Sequence, residues 1–192
     1  MRYDILIAGV GGQGTILSSR LLAEAAQIEH QFVRTGETIG MSQRGGSVVS
    51  HVRIDSREVS PYIPLGGADL LIAFEMAEAA RSLSRLKPEG KLLVSTKRLD
   101  PVTVTLGGMT YDEEAIKKAL AGALFIDGYA LAEQAGSAKA VNVVLLGAAL
   151  GAGMLPLSKE SVLGAIDRQV KEKFRDMNYT ALELGYNYAK QA

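Results

Sequence analysis

Short apolar runs that end in glycine alternate with apolar residues spaced three and four apart through most of the chain. Residues 3–8 are one such run, closed at once by Gly9-Val10-Gly11-Gly12-Gln13-Gly14. Leu17, Leu21, Ala25 and Ile28 follow at spacings of four, four and three, which is one face of a helix. The first unit is therefore strand, glycine turn, helix. Residues 31–35 make a poor second strand because Arg34 interrupts them. The polar run Gly36-Glu37-Thr38-Ile39-Gly40-Met41-Ser42-Gln43-Arg44-Gly45-Gly46 reads as an irregular loop. Ser47 to Ile54 alternates in the manner of a strand. Asp55-Ser56-Arg57 turns the chain, and Val59 to Ile63, with Pro61 inside, is at best an edge piece.

Asp69 to Phe74 is a continuous apolar strand, as in the middle of a parallel sheet. Met76, Ala79, Ala80, Leu83 and Leu86 mark a helix, and Lys87-Pro88-Glu89-Gly90 is its stop signal. Lys91 to Ser95 is another buried strand, and Val102 to Leu106 alternates weakly. Thr110-Tyr111-Asp112-Glu113 resembles a capping box before a helix bearing Ile116, Ala119 and Leu120. Ala123 to Ile126 is the last strand. The remainder is helical: about 137–154, then a helix opened by Pro156 and Ser158 with Val162, Ile166, Val170 and Phe174 at a spacing of four, then about 179–190. Strands alternating with helices predict a Rossmann-like α/β fold over residues 1–192 as one domain. Its sheet is mainly parallel with helices on both faces, and its C-terminal third is helical.

Composition narrows the chemistry. Of 192 residues, 47% are apolar, enough for one sizeable core. Lys plus Arg and Asp plus Glu both number 21, so the basic excess of a nucleic-acid binder is missing. There is no cysteine, which removes disulfides, thiolate nucleophiles and Cys-held zinc or iron–sulfur clusters from this chain. The two histidines, His30 and His51, are too few for a multi-histidine metal site, and His51 reads as a surface or core residue. No targeting segment is visible, in keeping with a cytoplasmic chain. Ala138 to Met154 is broken by Lys139, Asn142 and three glycines, and reads as a buried helix with a small-residue face rather than a membrane span.

Gly9 to Gly14 fits G-x-G-x-x-G between a strand and a helix, where glycines let a phosphate approach backbone amides and the helix N-terminus favours negative charge. A dinucleotide fold also wants an acidic residue some 20 positions on, at the end of a clean second strand, and Glu37 stands near that distance on a polar stretch. The alternative is that the glycines only let the first helix pack closely on the sheet. Thr38 to Ser47 is the most unusual stretch. Gly45-Gly46 can bring amides close to an anion or a neighbouring chain, and Arg44 can hold a carboxylate or phosphate, unless it is simply solvated.

Gly9-Val10-Gly11-Gly12-Gln13-Gly14, taken with Gly40-Met41-Ser42-Gln43-Arg44-Gly45-Gly46-Ser47-Val48-Val49-Ser50-His51-Val52-Arg53, resembles the gamma subunits of 2-oxoacid:ferredoxin oxidoreductases. The Gly-Met-Ser-Gln-Arg-Gly-Gly-Ser form is most similar to the small subunit of the indolepyruvate enzymes. The likeness extends through Ala68-Asp69 and Leu86-Lys87-Pro88-Glu89-Gly90 and so covers most of the chain. It implies a complex in which thiamine diphosphate and iron–sulfur clusters decarboxylate a 2-oxoacid, pass electrons to ferredoxin and give the acyl group to coenzyme A. Those cofactors are expected on the larger partner subunit. This chain has no cysteine, and in place of Gly-Asp-Gly followed by Asn-Asn it has only Ile126-Asp127-Gly128 and a single Asn142.

The expected role is that of a non-cofactor subunit with no catalytic residue and no metal ligand of its own. Candidate residues for ligand or partner contact are Gly9, Gly11, Gly12, Gln13, Gly14, Glu37, Ser42, Gln43, Arg44, Gly45 and Gly46. Strand ends at residues 35–37, Glu75, Thr96 and Asp127 complete the expected ligand edge. Two other functions stay open: a stand-alone NAD- or FAD-binding oxidoreductase, and a purely structural assembly subunit. The 40–46 loop and the small-residue helix are expected to be covered by a partner, and by a second copy when that partner is missing.

Overall fold

The computed structural model describes residues 2–40, 46–55, 59–99, 104, 108 and 110–191. Six strands form one sheet: β1 (Tyr3–Val10), β2 (Phe32–Ile39), β3 (Ser47–Asp55), β4 (Ala68–Ala73), β5 (Leu86–Ser95) and β6 (Leu124–Ile126), in the order β2-β3-β1-β4-β5-β6. β1, β4, β5 and β6 pair in parallel, whereas β3 runs antiparallel to both β1 and β2. Helices are α1 (Thr15–Ile28), α2 (Met76–Ser82), α3 (Glu113–Ala119), α4 (Gly128–Gln134), α5 (Val141–Gly151), α6 (Lys159–Gln169) and α7 (Arg175–Gln191).

The central strands are apolar throughout because both faces are covered. Ile5, Ile7, Leu70, Ile72 and Leu93 pack against α1 and the C-terminal helices. Leu6, Ala8, Leu71, Ala73, Leu92 and Val94 pack with Met76 and Ala79 of α2 and Leu120 beyond α3. The small-residue face of α5 lies on α7. A Cβ on Gly147 would stand 2.1 Å from the Leu182 carbonyl oxygen, one on Gly151 2.2 Å from that of Tyr186, and one on Gly185 2.0 Å from that of Val144. Only glycine permits backbones this close. The expectation that a partner covers this helix is thus corrected: α7 of the same chain does so.

Six features differ from the sequence reading. β2 is a full eight-residue strand that includes Arg34 and runs on through Ile39. It is polar because it is an edge, with β3 the one described strand beside it. Val59 to Ile63 forms no strand. Its backbone is held instead by side chains: the Ile63 amide donates to His51 Nδ1, and Arg53 donates to the carbonyls of Ser60 and Tyr62. α2 stops at Ser82, and Leu86-Lys87-Pro88-Glu89-Gly90 already belongs to β5, where a register shift beside β4 absorbs the extra residues. Val170 leaves α6 in extended geometry, so Phe174 belongs to the short 3-10 turn before α7. The N-cap of α3 is Asp112, accepting from the Ala115 amide, rather than Thr110. α4, capped by Asp127, is an additional helix. Ser56 and Arg57, and the 102–106 stretch apart from residue 104, lie outside the described residues.

Candidate functional site

The carboxyl ends of the parallel strands bring the first glycine segment together with Gly46. Gly9 closes β1 where a Cβ would meet Gln13 Oε1 at 2.8 Å and Phe74 Cβ at 3.1 Å. Gly12 and Gly14 have φ of +95° and +91°, conformations that β-carbons disfavour. Gly11 donates its amide to the Gly46 carbonyl at 2.9 Å, so the two glycine-rich segments touch directly. Gln13 is buried and fully engaged: Oε1 accepts from the Val10 amide at 2.7 Å, and Nε2 donates to the Phe74 carbonyl at 3.3 Å and to Tyr129 Oη at 2.8 Å. Its side chain fastens the turn and points inward, leaving Gly11 and Gly12 as the exposed part.

Gly14 caps α1 without any side-chain hydrogen bond. Against it lies Asn142, whose Cγ is 3.2 Å from the position of a Gly14 Cβ. Asn142 is 2% exposed, and its Nδ2 has no hydrogen-bond partner. A buried amide donor without an acceptor costs about 1–3 kcal/mol, so this one is either a standing cost or a group kept for a ligand.

The loop after β5 adds positive charge on aromatic supports. Lys97 Nζ stands 5.3 Å from the centre of the Tyr129 ring, and the Arg98 guanidinium 4.4 Å from that of Tyr111. Tyr129 is anchored by Gln13. The Tyr111 hydroxyl donates to buried Glu75 at 2.7 Å. Burial pushes the hydroxyls of both tyrosines up in pKa, and the Glu75 carboxylate adds to this at Tyr111. Glu75 Oε2 also accepts from the Glu78 amide at 2.9 Å, and Glu78 accepts from Ser47 Oγ at 2.6 Å and from Arg81. The first turn of α2 therefore ties Ser47, beside Gly46, and Tyr111 to the sheet.

This arrangement suits an anion or an oppositely charged surface. It holds no nucleophile paired with a base among the described residues. His51 is buried within β3, held to about 4 by burial and by the Arg85 and Arg53 charges, and it accepts from Ile63. No group of three or more metal-ligating side chains occurs among the described residues, and no described helix is long and apolar enough to cross a membrane.

Of the sequence candidates, Gly9, Gly11, Gly12, Gln13, Gly14 and Gly46 gather here. Glu37 does not. It pairs with Ser50, which pairs with Ile7, so it sits level with the middle of β1 and bonds Ser19 of α1 at 3.2 Å. Antiparallel β3 occupies the place beside β1 from which a dinucleotide fold offers its ribose-binding acid. Ser42, Gln43, Arg44 and Gly45 lie outside the described residues. Sequence reasoning missed Lys97, Arg98, Tyr111 and Tyr129 as site residues. Asn142 carried a readable signal, a lone amide at the start of an otherwise apolar helix.

Residues 4–188 match the pyruvate ferredoxin/flavodoxin oxidoreductase family. The chain is 40% identical to the indolepyruvate oxidoreductase subunit IorB of Archaeoglobus fulgidus, covering 98% of this chain and 96% of that protein. It is 38% identical to IorB of Thermococcus kodakarensis, with the same shares covered. The solved gamma subunit of a keto/oxoacid ferredoxin oxidoreductase from Geobacter sulfurreducens superposes with a TM-score of 0.73 at 27% identity, over 99% of each chain. A six-stranded sheet with one inverted strand, two glycine segments joined by a hydrogen bond, and these end-to-end matches converge: the chain belongs to the pyruvate ferredoxin/flavodoxin oxidoreductase family, as a gamma-type subunit of a 2-oxoacid:ferredoxin oxidoreductase.

Proposed function

We propose that this chain is the small subunit of an indolepyruvate-type oxidoreductase in the cytoplasm, partnered by a larger subunit that carries thiamine diphosphate and iron–sulfur clusters and delivers electrons to ferredoxin. The observation that carries the assignment is the near-complete mutual coverage with proteins named IorB. The chain's own sequence does not supply the redox groups: it has no cysteine for a cluster, and only Ile126-Asp127-Gly128 and a single Asn142 approach a thiamine motif. Its contribution is binding. The exposed Gly12 backbone, the uncapped start of α1, the Asn142 amide and the Lys97 ammonium form an anion-receiving edge, here assigned to the phosphates of coenzyme A, with the Gly11 amide already spent on the Gly46 carbonyl. Gly9, Gly14 and Gln13 shape that edge without touching the ligand. Gly46 holds the turn, with Ser42, Gln43, Arg44 and Gly45 assigned to the same edge or to the larger subunit.

The test is reconstitution with the cognate larger subunit. Indolepyruvate-dependent viologen reduction should require both chains, and the small subunit alone should be colourless and inactive. Activity of this chain alone, or failure of any 2-oxoacid to support reduction by the pair, would overturn the assignment. A reconstituted enzyme that prefers pyruvate would correct the substrate and keep the subunit role.

A further inference from the structure

The edge strand β2 carries an unused recognition pattern. Its eight residues pair with β3 in unbroken register, without bulge or proline, and no described residue pairs with its outer side. Natural edges are usually protected by shortness, proline, a bulge or charged side chains; this one has no proline, lysine or bulge, and its charges are Arg34 and Glu37. Three of the most exposed large apolar side chains lie on this strand or against it: Phe32 at 61% and Ile39 at 62% at its two ends, and Tyr62 at 52% over its middle. Tyr62 lies over Gly36 of β2, its Cε1 3.3 Å from the position of a Gly36 Cβ.

The outward backbone groups can be assigned. The Gly40 amide donates to the Ser47 carbonyl at 2.8 Å, so Gly40 faces β3. Alternation along an antiparallel strand then turns Thr38, Gly36, Arg34 and Phe32 toward β3, and Val33, Thr35, Glu37 and Ile39 outward. Those four residues are symmetric about Gly36. A two-fold axis through Gly36, perpendicular to the sheet, sets Val33 against the partner's Ile39 and Thr35 against the partner's Glu37. Every outward N–H and C=O of the four residues is then paired. Gly36 faces its own copy at a non-hydrogen-bonded position, where strands approach most closely, at about 4.5 Å between Cα atoms. Gly36 itself has no side chain to hold the strands apart there, and the two copies of Tyr62 meet above it. Phe32 falls opposite the partner's Gly40.

We infer that β2 is a homodimer edge: two copies of this chain join antiparallel through β2 about a two-fold at Gly36, making one continuous sheet. The inference is independent of the coenzyme A assignment, because Thr35 and Gly36 lie inward from the carboxyl edge of the sheet.

The chain's lack of cysteine makes the register directly testable. In this register position 34 of one copy faces position 38 of the other at a non-hydrogen-bonded site, a spacing that accepts a disulfide. The two positions in one strand are about 13 Å apart and cannot bond to each other. Under mild oxidation the double variant Arg34→Cys/Thr38→Cys should run as a covalent dimer, and Arg34→Cys alone as a monomer on denaturing gels. The purified wild-type chain should sediment at twice the monomer mass. Thr35→Pro removes one outward amide and leaves the ladder to β3 intact, so it should shift sedimentation to the monomer with an unchanged circular dichroism spectrum. A monomeric wild type, a dimer indifferent to Thr35→Pro, or equal cross-linking by the single variant would each overturn the inference.

Discussion

Gln13 belongs to the glycine motif but is spent inside the fold, and this can be weighed. Replacing it with alanine removes the bonds to the Val10 amide, the Phe74 carbonyl and the Tyr129 hydroxyl. Each is worth about 1 kcal/mol net, with a further cost where a backbone group is left dry, so Gln13→Ala should lose about 2–4 kcal/mol. For a chain of this length 1 kcal/mol moves the melting temperature by about 2–4 °C. The expected fall is thus roughly 5–15 °C in a thermal melt followed by circular dichroism. Gln13→Glu sharpens the test. Its oxygen still accepts from Val10, but at neutral pH its second oxygen faces the Phe74 carbonyl with no proton to share. Protonation restores the donor, so the folded form binds the proton more tightly than the unfolded chain. The deficit of Gln13→Glu against wild type should therefore shrink from pH 7.5 to pH 5, while that of Gln13→Ala stays constant. A melting point for Gln13→Ala within 1 °C of wild type would refute the fastening role and return this side chain to the list of ligand contacts.

Asn142→Leu removes a buried Nδ2 donor without a partner, so it should leave stability unchanged or raise it by about 1 kcal/mol. The same variant should weaken coenzyme A binding by the reconstituted complex at least several-fold in calorimetry; unchanged affinity would mean that the amide serves no ligand. Gly185→Ala places a Cβ 2.0 Å from the Val144 carbonyl oxygen and should cost about 3 kcal/mol or more in urea unfolding, because backbone cannot yield as a side-chain tip does. His51 is held to about 4 in the folded chain against an ordinary 6.5, so between those values the unfolded chain binds the extra proton. Stability from His51 is complete above pH 6.5 and drains as pH falls toward 4, by about 2–3 kcal/mol. His51→Gln, which can still accept from Ile63, should flatten that part of the urea midpoint–pH curve.

The central strands, the glycine turn and α1 were legible because both sheet faces are covered, and their apolar runs and helical spacing have no competing explanation. β2 was not legible. An edge strand with Pro61 and Tyr62 over one face and a single helix over the other has little apolar surface to bury, so its sequence is as polar as a loop's. The end of α2 misled because Lys87-Pro88-Glu89-Gly90 is equally suited to stopping a helix and to an irregular strand start. At the site, the glycines showed where the chain comes close but not what surrounds it. Tyr129, Tyr111, Lys97 and Asn142 come from separate elements, and only the strand order brings them to one edge. Glu37 was placed by sequence distance alone, and the inverted strand β3 removed the geometry that would have given that distance meaning.

That inversion has a consequence for how the chain can vary. β2 runs in the direction of β1 and β3 returns from the same end, so Gly46, just before β3, meets the β1–α1 turn, where Gly11 bonds it. The two glycine motifs are thus locked in phase by the lengths of two strands. One residue added within β3 would send His51 and Arg53 to the opposite face, and shift Ser47 away from Glu78. Changes in length are confined to the connections, and the spacing between the motifs behaves as a structural constant of the fold.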